Sequence, residues 1–236
     1  MTVPAGAHTR TSEFVLKRFE RWALPRLAAR LPDRVVPDHL TVLGLLASTT
    51  VAVAYALTNR NPAWLWLASA ALVVNWFGDS LDGNLARYRG IERPRYGYYL
   101  DHITDAYSTL TIALGLGFSP YMLLAVGLAI GLAYLLLSLN VYLETHVFKE
   151  FRFSYGNLGP TEVRLILIAL NTVALTIGPL PFGILGVGAT VFDIAGLAAA
   201  LAMVAMLLAR AVANLRALAR LEPPRRSSLP PRSPPT

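Results

Sequence analysis

The chain has 236 residues, a formal net charge of +7, 55% hydrophobic residues and a mean hydropathy of +0.49. It contains no cysteine, which excludes a disulfide scaffold and a cysteine-based metal or redox site. Several stretches reach the ~20 apolar residues that cross a bilayer, so the flanking basic residues are interpreted as orientation signals and anionic-lipid contacts, not as a nucleic-acid surface.

The N-terminal segment is basic and amphipathic. Residues 1–9 are expected to be disordered, and in residues 11–31 apolar side chains such as Trp22 alternate with arginines such as Arg18 and Arg26. This pattern predicts a helix that lies in the membrane interface, with a solvated soluble helix as the alternative. No clean apolar core follows the basic start, so the segment is not a secretory signal. We assign residues 1–36 to it.

Six apolar stretches follow, and each predicts a transmembrane helix. The predicted fold class is therefore an all-α integral membrane protein with six transmembrane helices preceded by an N-terminal interfacial amphipathic helix. The membrane domain covers residues 37–220, and the Pro- and Arg-rich residues 221–236 are predicted to form a disordered tail. The predicted spans are about 40–57, 62–77, 97–118, 121–143, 160–177 and 191–208, the last continuing to residue 220.

The distribution of basic residues predicts how the chain is oriented. Six spans place both termini on one side of the membrane. The connections 58–61, 119–120 and 178–190 contain one basic residue, Arg60, whereas the other side carries the basic terminal segments together with Arg89, Arg93, Arg95, Lys149 and Arg152. By the positive-inside rule, both termini and the polar ends of spans two and three face the cytoplasm. In a bacterium this would be the plasma (inner) membrane.

Four aspartates gather at the junction of spans two and three. Asp79 and Asp82 stand at i and i+3 if the second helix continues through Arg87, and Asp101 and Asp105 stand at i and i+4 on the next helix. Each pair then shares one helix face, so two antiparallel helices could aim four carboxylates into one space. Such a cluster repels itself unless cations neutralise it. The alternative is a set of buried Asp–Arg pairs that only hold helices together.

The residue types of this cluster favour metal-assisted phosphoryl transfer. All-oxygen ligands suit Mg²⁺ or Mn²⁺, and two such ions commonly clamp a phosphoryl centre. Gly83 lies beside Asp82, and Gly97 lies one turn before Asp101, so both omit a side chain where a bulky ligand would approach the backbone. Arg87 can reach a phosphate with its planar guanidinium.

At these positions the chain resembles the CDP-alcohol phosphotransferase family, whose signature is D-x2-D-G-x2-A-R, a spacer, then G-x3-D-x3-D. The spacer here has nine residues instead of the usual eight, and it falls in a loop. All eight fixed positions are filled, namely by Asp79, Asp82, Gly83, Ala86, Arg87, Gly97, Asp101 and Asp105.

The resemblance implies an enzyme of phospholipid biosynthesis that moves a phosphate-linked group from a CDP-alcohol to an acceptor alcohol and releases CMP. It implies that the four aspartates hold two divalent metals, Mg²⁺ or Mn²⁺, and that Asp105 also acts as general base. Gly83, Ala86, Arg87 and Gly97 would line the CDP. Membrane lipids and a second copy of the chain, in a homodimer, are the other expected partners.

Two further segments resemble the family less specifically. Pro37, Asp38 and Thr41 are similar to its P-N-x-x-T opening, with Asp38 in the Asn position. Thr41 is therefore a candidate nucleotide contact, with an N-terminal cap or a helix hydrogen bond as the alternative. Residues 144–164, which include GPTEVR, either bind the acceptor or use Thr161 to cap the fifth helix. His102 is expected to pack or support, not to bind a ligand, and Thr190 and Asp193 to cap the sixth helix.

The substrate is less defined than the family. The short chain favours a phosphatidyltransferase that uses CDP-diacylglycerol. His102 after the third aspartate and the GPTEVR segment are instead similar to the branch that moves phosphocholine or phosphoethanolamine from a CDP-aminoalcohol to diacylglycerol. A divalent-cation transporter is a remote alternative, because its carboxylates would lie near mid-membrane, and a catalytically silent scaffold would not need four aspartates.

Overall fold

The computed structural model describes residues 16–148, 159–184 and 187–223. The predicted disorder of residues 1–9, the proposed tail beyond residue 223 and the two loop cations Lys149 and Arg152 lie outside them. The described chain forms seven helices and one hairpin: α1 (Lys17–Arg30), α2 (Pro37–Leu57), α3 (Trp64–Arg89), α4 (Pro94–Gly117), α5 (Leu124–Phe148), α6 (Pro160–Ile177), β1 (Pro181–Ile184), β2 (Val187–Thr190) and α7 (Val191–Leu221).

Helices α2 to α7 fall where the six spans were predicted. Within the described part of the chain, four of them, α2, α5, α6 and α7, are long and apolar enough to cross a membrane. Helices α3 and α4 have 26 and 24 residues, which is long enough to span, but the charged and polar motif residues reduce their apolar content. Many large apolar side chains on α2 to α7 are exposed, for example Leu46 on α2, Leu132 on α5 and Leu201 on α7.

Helix α2 organises the centre of the fold because it packs against both α3 and α4. Its closest approach to α3 is made by two glycines, Gly44 and Gly78. A Cβ atom on Gly78 would lie 2.5 Å from the carbonyl oxygen of Leu40 and 2.7 Å from the nitrogen of Gly44, so no larger residue fits there. Because Gly78 precedes Asp79, this tight crossing fixes the backbone that carries the first aspartate.

Helix α1 packs along the motif half of α3. Its Leu24 and Ala28 are buried with Leu81 and Leu85 of α3. The opposite face exposes Phe19 and Trp22 together with Arg18, Arg26 and Arg30. The predicted amphipathic helix is thus present over Lys17–Arg30, and its location in a membrane interface stays a prediction.

Helices α5, α6 and α7 complete the structure. Helix α5 packs against α4 and α7, and α6 packs against α3. The predicted cap of α7 is confirmed: the hydroxyl of Thr190 accepts from the Asp193 N–H at 3.3 Å and the Asp193 carboxylate accepts from the Thr190 N–H at 2.7 Å. The same carboxylate accepts from the Leu123 N–H at 2.6 Å, which ties α7 to the loop before α5.

The antiparallel hairpin between α6 and α7, with Pro181 opposite Thr190, was expected to be a plain connection. It was missed because its two strands have only four residues each, too few for a reliable alternation of apolar and polar residues.

Candidate active site

The four predicted aspartates lie on α3 and α4, as the motif spacing requires. Asp79 and Asp82 occupy the second half of α3, which ends at Gly90 in a left-handed conformation (φ 64°). Asp101 and Asp105 occupy the first half of α4, which begins at Pro94. A short loop therefore turns the chain back, and the two acidic segments come together where both helices contact α2.

A small polar cavity marks the place where α2, α3 and α4 meet. Its volume of about 10 Å³ holds roughly one water-sized sphere. Asp79 and Asp82 line it from α3, and the two hydroxyl residues Thr104 and Ser108 face it from α4; the remaining lining residues are Thr41, Gly44, Leu45 and Asn75. Carboxylates and hydroxyls of three helices thus converge on one space.

Asp82 is held by its neighbours in a fixed orientation. Its Oδ2 accepts a hydrogen bond of 2.7 Å from the Thr41 hydroxyl, and its Oδ1 accepts from the N–H of Gly83. Asp82 lies in the part of α3 that follows the predicted membrane span, residues 62–77. Burial raises the pKa of Asp82 to about 6, against the lowering effect of these hydrogen bonds, and Asp79 and Asp101 raise it further. No residue that the structure describes forms an ion pair with Asp82.

Asp79 has a partner that the motif does not contain. The Nη2 atom of Arg164, on α6, lies 2.7 Å from Asp79 Oδ2, and the Nε atom of the same side chain donates to Asn75 Oδ1 at 2.8 Å. Asn75 in turn donates to the carbonyl of Gly44 at 2.9 Å. Arg164 is only 8% exposed, and within the described residues its buried Nη1 atom has no hydrogen-bond partner.

The α4 aspartates differ in exposure. The Asp101 side chain is 53% exposed, whereas Asp105 is partly buried and lies within electrostatic range of the other three aspartates and of Arg164. His102 stacks between Tyr98 and Tyr142, with ring centroids at 4.1 and 4.5 Å. Its Nδ1 atom also lies 3.4 Å from Asp101 Oδ2, so His102 both packs between the tyrosines and contacts an aspartate of the motif.

The residues expected to line the nucleotide surround this cluster. Arg87 is exposed, and its guanidinium lies over Gly83, 3.5 Å from the position of an added Cβ. Space beside Gly97 is open, and Ala86 is half-buried. Arg87 forms no ion pair with any residue that the structure describes.

Thr41 and Thr161 have contacts that the sequence left undecided. Besides Asp82, the Thr41 hydroxyl approaches the carbonyl of Pro37 at 3.4 Å, so the helix hydrogen bond is present. The N-cap of α2 is Val36, so a cap by Thr41 is wrong.

The predicted cap by Thr161 is also wrong, because Gly159 is the N-cap of α6 and its N–H donates to Glu162 at 2.9 Å. Thr161 lies inside the helix and its hydroxyl donates to Glu20.

The donor set fits hard divalent cations in its chemistry. Among the described residues, four carboxylates share one region with a single buried guanidinium, and oxygen ligands in excess of positive charge are what Mg²⁺ and Mn²⁺ prefer. The described side chains do not, however, bring three acidic or histidine groups into a ready-made metal cage. The structure therefore brings the four aspartates into one region without giving their coordination geometry.

Long apolar helices around a small acidic cavity define a helical membrane protein with a carboxylate site on two consecutive helices. The chain belongs to the CDP-alcohol phosphatidyltransferase family, whose model matches residues 34–208. The family match corresponds to the resemblance found in the motif.

One curated relative is the phosphatidylinositol phosphate synthase of Cutibacterium acnes, 34% identical over 91 residues. The matched stretch covers 39% of this chain and 42% of the relative. The chain thus matches less than half the length of that enzyme.

Sequence reasoning did not assign Asn75 to the site, and it included Arg164 only as part of residues 144–164, a candidate acceptor-binding segment. A signal for Asn75 existed: it is a polar residue inside the apolar run LVVNWF, four residues before Asp79 and so on the same helix face. The contact of Arg164 with Asp79 gave no signal, because the two residues lie 85 positions apart in the chain.

Proposed function

We propose that the protein is a metal-dependent phosphatidyltransferase that moves the phosphatidyl group of CDP-diacylglycerol to an acceptor alcohol and releases CMP. The proposal is carried by the four motif aspartates, which lie within electrostatic range of one another in a chain of the CDP-alcohol phosphatidyltransferase family. The name of the relative, phosphatidylinositol phosphate synthase, favours a phosphatidyl product. Of the residues that were similar to the aminoalcohol branch, His102 packs between two tyrosines and Thr161 donates to Glu20.

We propose a phosphorylated polyol, such as an inositol phosphate, as the acceptor. Arg164 supports this, because its buried Nη1 atom lacks a partner while the rest of its guanidinium is anchored to Asp79 and Asn75. An anchored guanidinium with a free N–H group suits a phosphate oxygen. A neutral acceptor would leave that N–H unsatisfied, at a cost of about 1–3 kcal/mol.

In this mechanism the aspartates of the motif, Asp79, Asp82, Asp101 and Asp105, would hold two divalent ions. When bound, the ions supply charge neutralisation at the pyrophosphate. Asp105 takes the proton of the acceptor hydroxyl, the acceptor oxygen forms a bond to the phosphatidyl phosphorus, and the bond from that phosphorus to CMP breaks.

The surrounding residues position the donor. The Thr41 hydroxyl fixes the rotamer of Asp82. In this role Thr41 would orient a metal-binding oxygen of Asp82 and would not contact the nucleotide. Arg87 would bind a phosphate of the donor, and Gly83, Ala86 and Gly97 leave room for the CDP. Arg164 keeps Asp79 in place and contacts the acceptor.

We further propose that α2 to α7 all cross the membrane and that both chain termini and the site face the cytoplasm. Supporting this, four arginines lie at or next to the adjoining ends of α3 and α4, namely Arg87, Arg89, Arg93 and Arg95, while Arg60 lies just before the start of α3, in the loop after α2. CDP-linked donors would reach the site from that side. A homodimer is proposed from the family resemblance alone.

A parallel assay tests the proposed reaction. Purified protein in detergent with Mn²⁺ is given CDP-diacylglycerol, CDP-choline or CDP-ethanolamine, each with a panel of acceptors, and CMP is followed. We expect CMP only with CDP-diacylglycerol and a phosphorylated polyol, and no CMP after chelation of the metal. CMP only from a CDP-aminoalcohol with diacylglycerol would contradict the proposal.

A further inference from the structure

One carboxylate on α1 contacts both helices that carry the Arg164–Asp79 ion pair. The Oε1 atom of Glu20 accepts a hydrogen bond of 3.2 Å from the indole Nε1 of Trp76, on α3. The same oxygen accepts a hydrogen bond from the Thr161 hydroxyl, on α6. Glu20 therefore joins three helices through a single atom.

Each donor lies close in the chain to one member of the ion pair. Trp76 lies three residues before Asp79 on α3, and Thr161 lies three residues before Arg164 on α6. Residues at i and i+3 share a helix face. The bridge made by Glu20 is thus one helical turn from the Arg164–Asp79 contact of 2.7 Å on both helices at once.

A neighbouring contact reinforces this bridge. The backbone N–H of Leu16 donates to Glu162 Oε1 at 2.9 Å, while the other carboxylate oxygen of Glu162 accepts from Gly159. The start of α1 is thereby attached to the first turn of α6. Because α1 also packs on α3 through Leu24 and Ala28, it is braced against both helices.

We propose that Glu20 is a positioning residue that sets the spacing of α3 and α6 and thereby keeps the Arg164 guanidinium on Asp79. The inference rests on the proposed function of Arg164 and Asp79 in the site. Hydrogen bonds to a carboxylate are stronger than those between neutral groups, and this carboxylate is only partly exposed. Glu20 itself does not contact the aspartate cluster and acts through Trp76 and Thr161.

The spacing of α3 and α6 can be measured without any activity assay. The chain has no cysteine, so Val73→Cys and Val163→Cys, at positions 52% and 46% exposed on α3 and α6, give one unambiguous pair of spin labels. We expect a broader distance distribution between the labels in Glu20→Ala than in the parent. Glu20→Gln keeps an acceptor oxygen and should retain the narrow distribution. An unchanged distribution in Glu20→Ala would overturn the proposal.

Single-donor variants test the same bridge with less disturbance of the fold. Thr161→Val keeps the side-chain shape and removes one hydrogen bond, and Thr172→Val is its matched control, since that hydroxyl bonds only within α6. We expect broadening in Thr161→Val and none in Thr172→Val. If Glu20→Ala does not fold, an unchanged distribution in Thr161→Val would still refute the bridge.

Kinetic constants distinguish a positioning role of Glu20 from a loss of folded protein. We expect Glu20→Ala to lower kcat/KM about tenfold, mainly through the acceptor KM, and Glu20→Gln to restore most of it. Adding Thr161→Val to Glu20→Ala should cause little further loss, because both remove the same contact. A wild-type protein without CMP release would refute the proposed reaction, whereas the label distances would still test Glu20.

Discussion

Arg164 Nη2 and Asp79 Oδ2 lie 2.7 Å apart, although the two residues are 85 positions apart in the chain. This contact brings α6 to the motif helix α3 and gives the acidic site its one buried guanidinium within the described residues. The purely structural interpretation, in which Asp–Arg pairs only hold the helices together, would need more such cations. Asp82 has hydrogen bonds from Thr41 and Gly83 instead of an ion pair.

Replacing Arg164 should affect both stability and acceptor use. In Arg164→Met the Asp79 carboxylate loses its partner, so we expect a loss of about 2 kcal/mol in stability, seen as a lower melting temperature in detergent. The acceptor KM should rise more than the donor KM. Arg60→Met, at an exposed position in the loop after α2, is the matched control. Equal melting temperatures for the two variants would contradict the role of Arg164.

Asp105→Asn tests the general base. The amide cannot take the proton of the acceptor, so turnover should fall by at least about 100-fold, while binding of a CDP donor stays largely intact. Turnover is measured as the rate of CMP release, and donor affinity is measured by titration. Asp33→Asn, at an exposed position in the loop after α1, serves as control. Normal turnover in Asp105→Asn would refute the assignment.

Arg87→Lys tests the phosphate contact. A bidentate guanidinium becomes a point charge, so the donor should bind about tenfold more weakly, with little change in melting temperature because Arg87 is exposed. Donor affinity is measured by titration with CDP-diacylglycerol in mixed micelles. Arg216→Lys, an exposed arginine on α7, controls for the general effect of the substitution. An unchanged donor affinity would exclude a phosphate contact by Arg87.

Thr41 offers a test of the aspartate that it orients. In Thr41→Val, Asp82 loses a hydrogen bond of 2.7 Å, and loss of such a supporting bond typically weakens metal binding by about 10–100-fold. The Mn²⁺ concentration that gives half-maximal CMP release should therefore rise, whereas Thr41→Ser should behave like the parent. If Thr41→Val instead weakens only donor binding, Thr41 contacts the nucleotide directly.

Helix positions could be predicted from the sequence because each depends on local information. The apolar runs and their polar borders gave the starts of α2 to α7 to within three residues, and the bounds of α6, residues 160–177, agree with the structure. Helix α3 continues to Arg89, beyond the predicted span 62–77, through the polar residues of the motif. Thr190 and Asp193 formed the predicted cap because both partners are three residues apart. Thr161 was misjudged because its acceptor, Glu20, lies on α1, 141 residues away.

The amino-acid sequence by itself determined the class of this protein and its aspartates, because motif spacing on a helix decides which side chains share a face. Only the tertiary structure decided what surrounds them. The crossing of α2 and α3 at Gly44 and Gly78, the approach of Arg164 to Asp79 and the Glu20 bridge join residues that are distant in the chain. Such contacts depend on how whole helices pack, and local sequence patterns carry no information about that packing.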